Sequence, residues 1–128
     1  MIPRIESDLK SAFFKEQKKK LLGFVVIRHE DIRTGGTPDL SVTGLGRTTW
    51  YEFKHCTPQC SKHQLQELIC ERLAAAGFCR YVVYWEKGLF KRTMIVHPRN
   101  ITSLIPEVSV VGFNHQFVID YIRQVHTL

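Results

Sequence analysis

"GGTPDLSVTGLGRTTWYEFKH", residues 35–55, decides how this chain is read. "DLSVTG" (39–44) alternates apolar and polar positions as a half-buried strand does, "LGR" turns, and "TTWYEFKH" (48–55) returns as its hairpin partner. Strand side chains alternate faces, so Glu52 and Lys54 project with Trp50, while Tyr51 and Phe53 project to the other side. Pro38-Asp39 opens the first strand, and Glu52-Phe53-Lys54 sits in the second. Two acids and a lysine are costly in the centre of a small core, so their placement asks for a chemical reason.

Outward from this hairpin, the chain reads as an α/β fold. Residues 5–21 show Ile5, Leu9, Ala12 and Phe13 at helical spacing, with Lys18 to Lys20 at the end the helix dipole favours for cations, and Gly23 beyond. "FVVIRHE" (24–30) is a β-branched strand, and residues 31–38 are a glycine-containing loop. Past Thr57-Pro58, Leu65, Leu68, Ile69, Leu73 and Ala76 mark a helix over 61–76 that Gly77 ends. "RYVVYWE" (80–86) and "KRTMIVH" (91–97) are neighbouring strands. "VSVVG" is a further short strand and residues 115–126 a closing helix. The expected order is α-β-β-β-α-β-β: one domain over 1–128, with a core at 5–97, a C-terminal extension at 98–128, and a mixed sheet flanked by helices.

Composition narrows the function classes. No apolar run reaches the roughly 18 residues a membrane span requires, and "MIPRIESDLK" has no apolar signal core, so a cytoplasmic protein is expected. In that setting Cys56, Cys60, Cys70 and Cys79 are expected to remain thiols. A net charge of +6 on 128 residues favours a polyanionic partner, with DNA the first choice. His55, Cys56, Cys60 and His63 are zinc-ligand types, but their spacing matches no common zinc pattern, so this segment reads as a loop. Gly44-Leu45-Gly46 is a turn and not a phosphate cradle.

The chemistry follows from the acids. Asp39 opens the strand beside the one that carries Glu52, so the two carboxylates can meet at one sheet edge, where each disfavours ionisation of the other. A hard divalent cation, Mg²⁺ or Mn²⁺, relieves that repulsion and accepts phosphate oxygens. A lysine alongside can orient a nucleophile and offset charge growing on a phosphate.

Pro38-Asp39 followed by Glu52-Phe53-Lys54 resembles the PD-(D/E)xK nuclease signature. With "GGTPDL" before it, Gln64 in the helix after it and Glu6 opening the first helix, the pattern resembles the VRR-NUC (virus-type replication-repair nuclease) branch over residues 5–86. The resemblance implies a restriction-endonuclease-like αβββαβ core. It implies Asp39, Glu52, the Phe53 carbonyl and Glu6 as metal ligands, Lys54 as the catalytic lysine and Gln64 as a positioning residue. Glu16 rivals Glu6 as the additional acid.

It further implies a Mg²⁺- or Mn²⁺-dependent DNA endonuclease acting on branched DNA such as Holliday junctions, working as a homodimer, and encoded by a virus or mobile element. Lys10, Arg28, Arg33, Arg47, Lys62 and His63 are the expected nucleic-acid contacts. A site-specific homing or restriction-type endonuclease is the rival within the enzyme class. A non-catalytic nucleic-acid-binding protein is the rival outside it.

Overall fold

The computed structural model describes residues 5–29 and 35–128. Its six strands lie in chain order across one sheet: β1 (Val25–Arg28), β2 (Leu40–Gly44), β3 (Arg47–Cys56), β4 (Cys79–Lys87), β5 (Phe90–Val96) and β6 (Val108–Val111). Every neighbouring pair is antiparallel except β3–β4, which is parallel. A parallel pair needs a crossover, and helix α2 (Gln64–Ala76) supplies it. Helices α1 (Ile5–Lys20) and α3 (His115–His126) complete the α/β architecture. None of the described helices is long and apolar enough to cross a membrane.

The alternation of β3 divides the core in two. Tyr51 and Phe53 face α1 and α3, buried with Phe13, Val118, Ile119 and Ile122. Trp50 and Cys56 face the other way and pack with Cys70 of α2 and with Tyr81, Val83, Met94 and Ile101. Glu52 and Lys54 share that second face. They are therefore covered by α2, and only 5% and 4% of their surface remains exposed.

Residues 98–128 are not an appended extension. Strand β6 adds to β5, with Val111 opposite Arg92 and Val108 opposite Ile95. The Asn114 side chain accepts a hydrogen bond from the Phe117 N–H at 2.9 Å, capping α3. Val118, Ile119 and Ile122 of α3 are fully buried in the main cluster. The apolar positions of "HQFVIDYIRQVH" recur at helical spacing, so the helix closes the face that α1 alone leaves open.

The cysteines also depart from the expectation. Cys56 ends β3, the chain doubles back with the Thr57 N–H donating to Gln59 O, and Cys60 arrives 4.4 Å from Cys56 (Cα to Cα), where the two form a disulfide. Cys70 and Cys79 remain buried thiols.

Candidate active site

Strand β2 begins at Leu40, opposite Tyr51, so β3 runs on past it with an open edge. The N–H groups of Phe53 and His55 point to that edge, because alternate residues of a strand direct their backbone groups to the same side. Backbone donors left without a neighbouring strand take other acceptors, and two acids supply them. Asp39 Oδ2 accepts from Phe53 N at 2.9 Å, and Glu6 Oε1 accepts from His55 N at 3.1 Å. The Phe53 carbonyl leaves the strand on the same side as its N–H, towards Asp39. The Asp39 N–H in turn donates to Glu52 Oε1 at 3.1 Å, which ties the second carboxylate to the first.

The loop that delivers Asp39 depends on its glycines. Gly35 has φ +65, a conformation glycine adopts without strain. Gly36 lies against α2 so closely that a Cβ there would overlap Ile69 Cδ1 and press on Leu65. "GGTPD" thus joins a turn, a close helix contact and the acid in five residues.

The electrostatics single out Glu52. Burial, reinforced by the neighbouring Asp39 carboxylate and by Cys70, pushes its carboxyl up to about 9, while Lys54 and Lys10 pull the other way. The protonated form is favoured at neutral pH, as expected for a covered acid beside a like charge. Lys10 Nζ lies 3.1 Å from Asp39 Oδ1 and supplies positive charge at the mouth of the pair. Lys54 donates to the Ser61 carbonyl at 3.1 Å and lies 5.7 Å from the Tyr81 ring centroid. Its ammonium is thereby held near enough to favour the charged form of Glu52. The Ser61 carbonyl directly follows the Cys56–Cys60 bridge, so the disulfide loop sets the position of the lysine's acceptor.

Asp39, Glu52, Lys54, Phe53, Glu6 and Lys10 therefore converge on one end of β3. Glu6 reaches this end of β3 and Glu16 does not: Glu16 pairs with Lys20 at 2.9 Å, one turn along its own helix. Phe53 and His55 are two residues apart, so the Glu6 and Asp39 carboxylates are anchored roughly 7 Å apart along the strand. That separation suits contact through water better than a shared ion.

Gln64 is not brought to the site. It is the first residue of α2 and is exposed, because α2 turns Cys70, Leu73 and Ala74 to the sheet. Gln66, four residues before Cys70, lies on that inner face, and its buried Oε1 has no hydrogen-bond partner. Sequence reasoning missed it by following the Leu65–Leu68 stripe, whose members are 52% and 44% exposed. Ser41 and His29 were missed as a pair as well. Their side chains are 2.8 Å apart, and the His29 ring lies 4.9 Å from Trp50 on the Glu52 face.

The expected nucleic-acid contacts divide. Arg28 lies over the Phe14 ring at 5.1 Å, on the α1 face of the sheet. Arg47 sits at the opposite end of β3, where it donates to the Val125 carbonyl at 2.7 Å and serves the α3 terminus instead. Lys62 and His63 are exposed beyond the disulfide loop, and Lys62 helps line a cavity of about 270 Å³ there. Arg33 lies outside the described residues.

No protein-family profile matches this chain, and no curated protein matches it by sequence. The functional reading therefore rests on the site itself.

Among the described residues no three His, Cys, Asp or Glu side chains cluster as a metal-binding group. Two carboxylates with one backbone carbonyl is nevertheless a set that suits Mg²⁺, which keeps several waters and binds through one or two carboxylates plus substrate phosphates. Glu52, held protonated first by burial and then by the Asp39 carboxylate, is the second sign of fit, because a bound cation would offset what disfavours its charged form.

Proposed function

We propose that this chain is a Mg²⁺- or Mn²⁺-dependent endonuclease of the PD-(D/E)xK type, VRR-NUC-like, that hydrolyses DNA phosphodiester bonds. The observation that carries this reading is the single hydrogen-bonded unit Asp39–Glu52 at the open edge of β3, with Lys54 fixed beside it. Asp39, Glu52 and the Phe53 carbonyl would hold the cation. When bound, it supplies Lewis-acid polarisation of a phosphate oxygen and a water of lowered pKa.

The chain's own residues do the rest. Lys54, buried and pinned by Ser61, presents a fixed positive charge to the phosphorane oxygens as their charge grows, and needs little reorganisation to do so. Lys10 releases Asp39 and meets the phosphate at the mouth of the site. Gln66, with an unpartnered acceptor on the same side of α2, orients the attacking water. Glu6 holds the far end of β3 and reaches the site through water.

The positive net charge supports DNA as the partner. Branched or junction DNA, cut by a homodimer in the cytoplasm, is the substrate and setting we favour, and an origin in a virus or mobile element belongs to the same reading. The competing binder reading draws on the Lys10–Asp39 ion pair, since an acid with a purely structural role would be neutralised in this way.

One assay separates them: incubation of end-labelled duplex, single-strand, flap and four-way-junction DNA with Mg²⁺ or Mn²⁺, using wild type, Asp39→Ala and Lys54→Ala. Metal-dependent incision lost in both variants is the expected result. Binding of all substrates with no incision, and tighter binding by Asp39→Ala, would sink the nuclease in favour of the binder.

A further inference from the structure

A second cavity, of about 460 Å³, lies between α1 and the β1 edge and is lined by Ser11, Ala12, Phe14, Lys15, Lys18 and Arg28. Of its five helical members, Ser11, Phe14, Lys15 and Lys18 fall at i, i+3, i+4 and i+7 on one face of α1, with Ala12 beside them. Lys15 and Lys18 contribute its exposed ammonium groups, and Arg28 a guanidinium over the Phe14 ring. Arg28 pairs with Leu40 across β1–β2, so the cavity begins one residue pair from Asp39. Lys10, seated on Asp39, is one helical turn from Phe14 along the same helix. Lys10, Lys15 and Lys18 therefore follow one another along α1 from the carboxylate pair.

We propose that this cavity binds an unpaired stretch of the DNA strand that enters the candidate active site. A base stacks on the Arg28 guanidinium, which the Phe14 ring supports from beneath at 5.1 Å, and the flanking phosphates lie on Lys15 and Lys18. The depression is open along the helix, which leaves a single strand room to lie across it. A planar guanidinium stacks on any base and carries positive charge, so the site is indifferent to sequence. The location of the strand rests on the nuclease reading. The binding chemistry does not.

The test is therefore a binding measurement without divalent metal: fluorescence anisotropy of a labelled oligothymidylate in EDTA, beside a duplex of the same length and a poly-glutamate peptide of matched charge. Wild type is expected to prefer the oligothymidylate over both. Lys15→Gln/Lys18→Gln should weaken it about tenfold and reduce the log–log salt slope by about 1.4, at roughly 0.7 per phosphate released on single strands. Arg28→Lys keeps the charge but loses the stacking plane, and should weaken the oligothymidylate several-fold while leaving poly-glutamate unchanged.

All three substituted side chains are exposed, and circular dichroism checks that the variants fold. Unchanged oligothymidylate affinity in the double variant overturns the proposal, as does equal or tighter binding of poly-glutamate or duplex. Failure of the protein to cleave any DNA, with this binding pattern intact, would overturn the nuclease reading and leave this site standing.

Discussion

Replacing Glu52 by Gln should stabilise the metal-free protein, and the size of the gain should depend on pH. The Glu52 carboxyl ordinarily titrates at 4.5 and is pushed up to about 9 by burial and by Asp39. At pH 7 the native state holds the proton and the unfolded chain has released it. Unfolding is then favoured by about 1.4 kcal/mol for each of the roughly 2.5 pH units above the ordinary value, or about 3 kcal/mol. The sign is fixed: the folded pKa lies above the unfolded one, so the acid costs nothing below pH 4, costs more as pH rises, and levels off near pH 9. Gln remains neutral throughout and keeps an acceptor for the Asp39 N–H.

Urea denaturation in EDTA at pH 5, 6, 7 and 8 measures the effect. The variant should exceed wild type by less than about 1 kcal/mol at pH 5 and by about 3 kcal/mol at pH 7. A gap that does not change with pH, or a variant less stable than wild type at pH 8, would refute the reasoning.

Four further outcomes follow from the same geometry. Because the cation must displace the Glu52 proton, Mn²⁺ affinity by calorimetry should rise with pH between 6 and 9, with proton release detectable as a buffer-dependent heat. Lys10→Gln removes a competing cation from Asp39, so Mn²⁺ should bind more tightly by about 1 kcal/mol, a several-fold change in the same titration. Cys60→Ser opens the disulfide loop and should lower the stability of the oxidised protein by about 2 kcal/mol in chemical denaturation, with a dithiol reductant lowering wild type to the same level. Ile122→Ala, in the middle of the C-terminal helix, should cost about 2–5 kcal/mol in urea, a loss no appended tail would produce.

The strand alternation around Glu52-Phe53-Lys54 was legible because a period of two leaves no freedom: once Tyr51 and Phe53 are apolar, the charged pair must share the other face. The choice of Glu6 over Glu16 could be made from the sequence only as an alternative, since both lie on α1 and the deciding contact is the His55 N–H from a strand 49 residues away. The α2 rotation was misread for a physical reason. The helix turns Cys70, Leu73 and Ala74 to the sheet, while Leu65 and Ile69 meet Gly36 in the loop that carries Asp39. The Leu65–Leu68 end of the stripe outweighed Cys70 and Ala74 in the reading, so Gln64, which is exposed, was favoured over Gln66, whose Oε1 is buried.

Arg47 illustrates a different limit. It neighbours the motif in sequence, but a strand is long, and six residues from Phe53 correspond to roughly 20 Å. The disulfide was hidden by an expectation about compartment, which says nothing of the tight loop that brings Cys56 and Cys60 together.

Asp39 and Glu52 are proposed to hold a divalent cation. Crystals soaked in Mn²⁺, with anomalous difference density measured at the manganese edge, test it most directly. The expected result is one peak in contact with the Asp39 and Glu52 carboxylates and the Phe53 carbonyl, with Lys10 displaced from Asp39. No peak there at millimolar Mn²⁺, with the Lys10–Asp39 ion pair intact, would contradict the account.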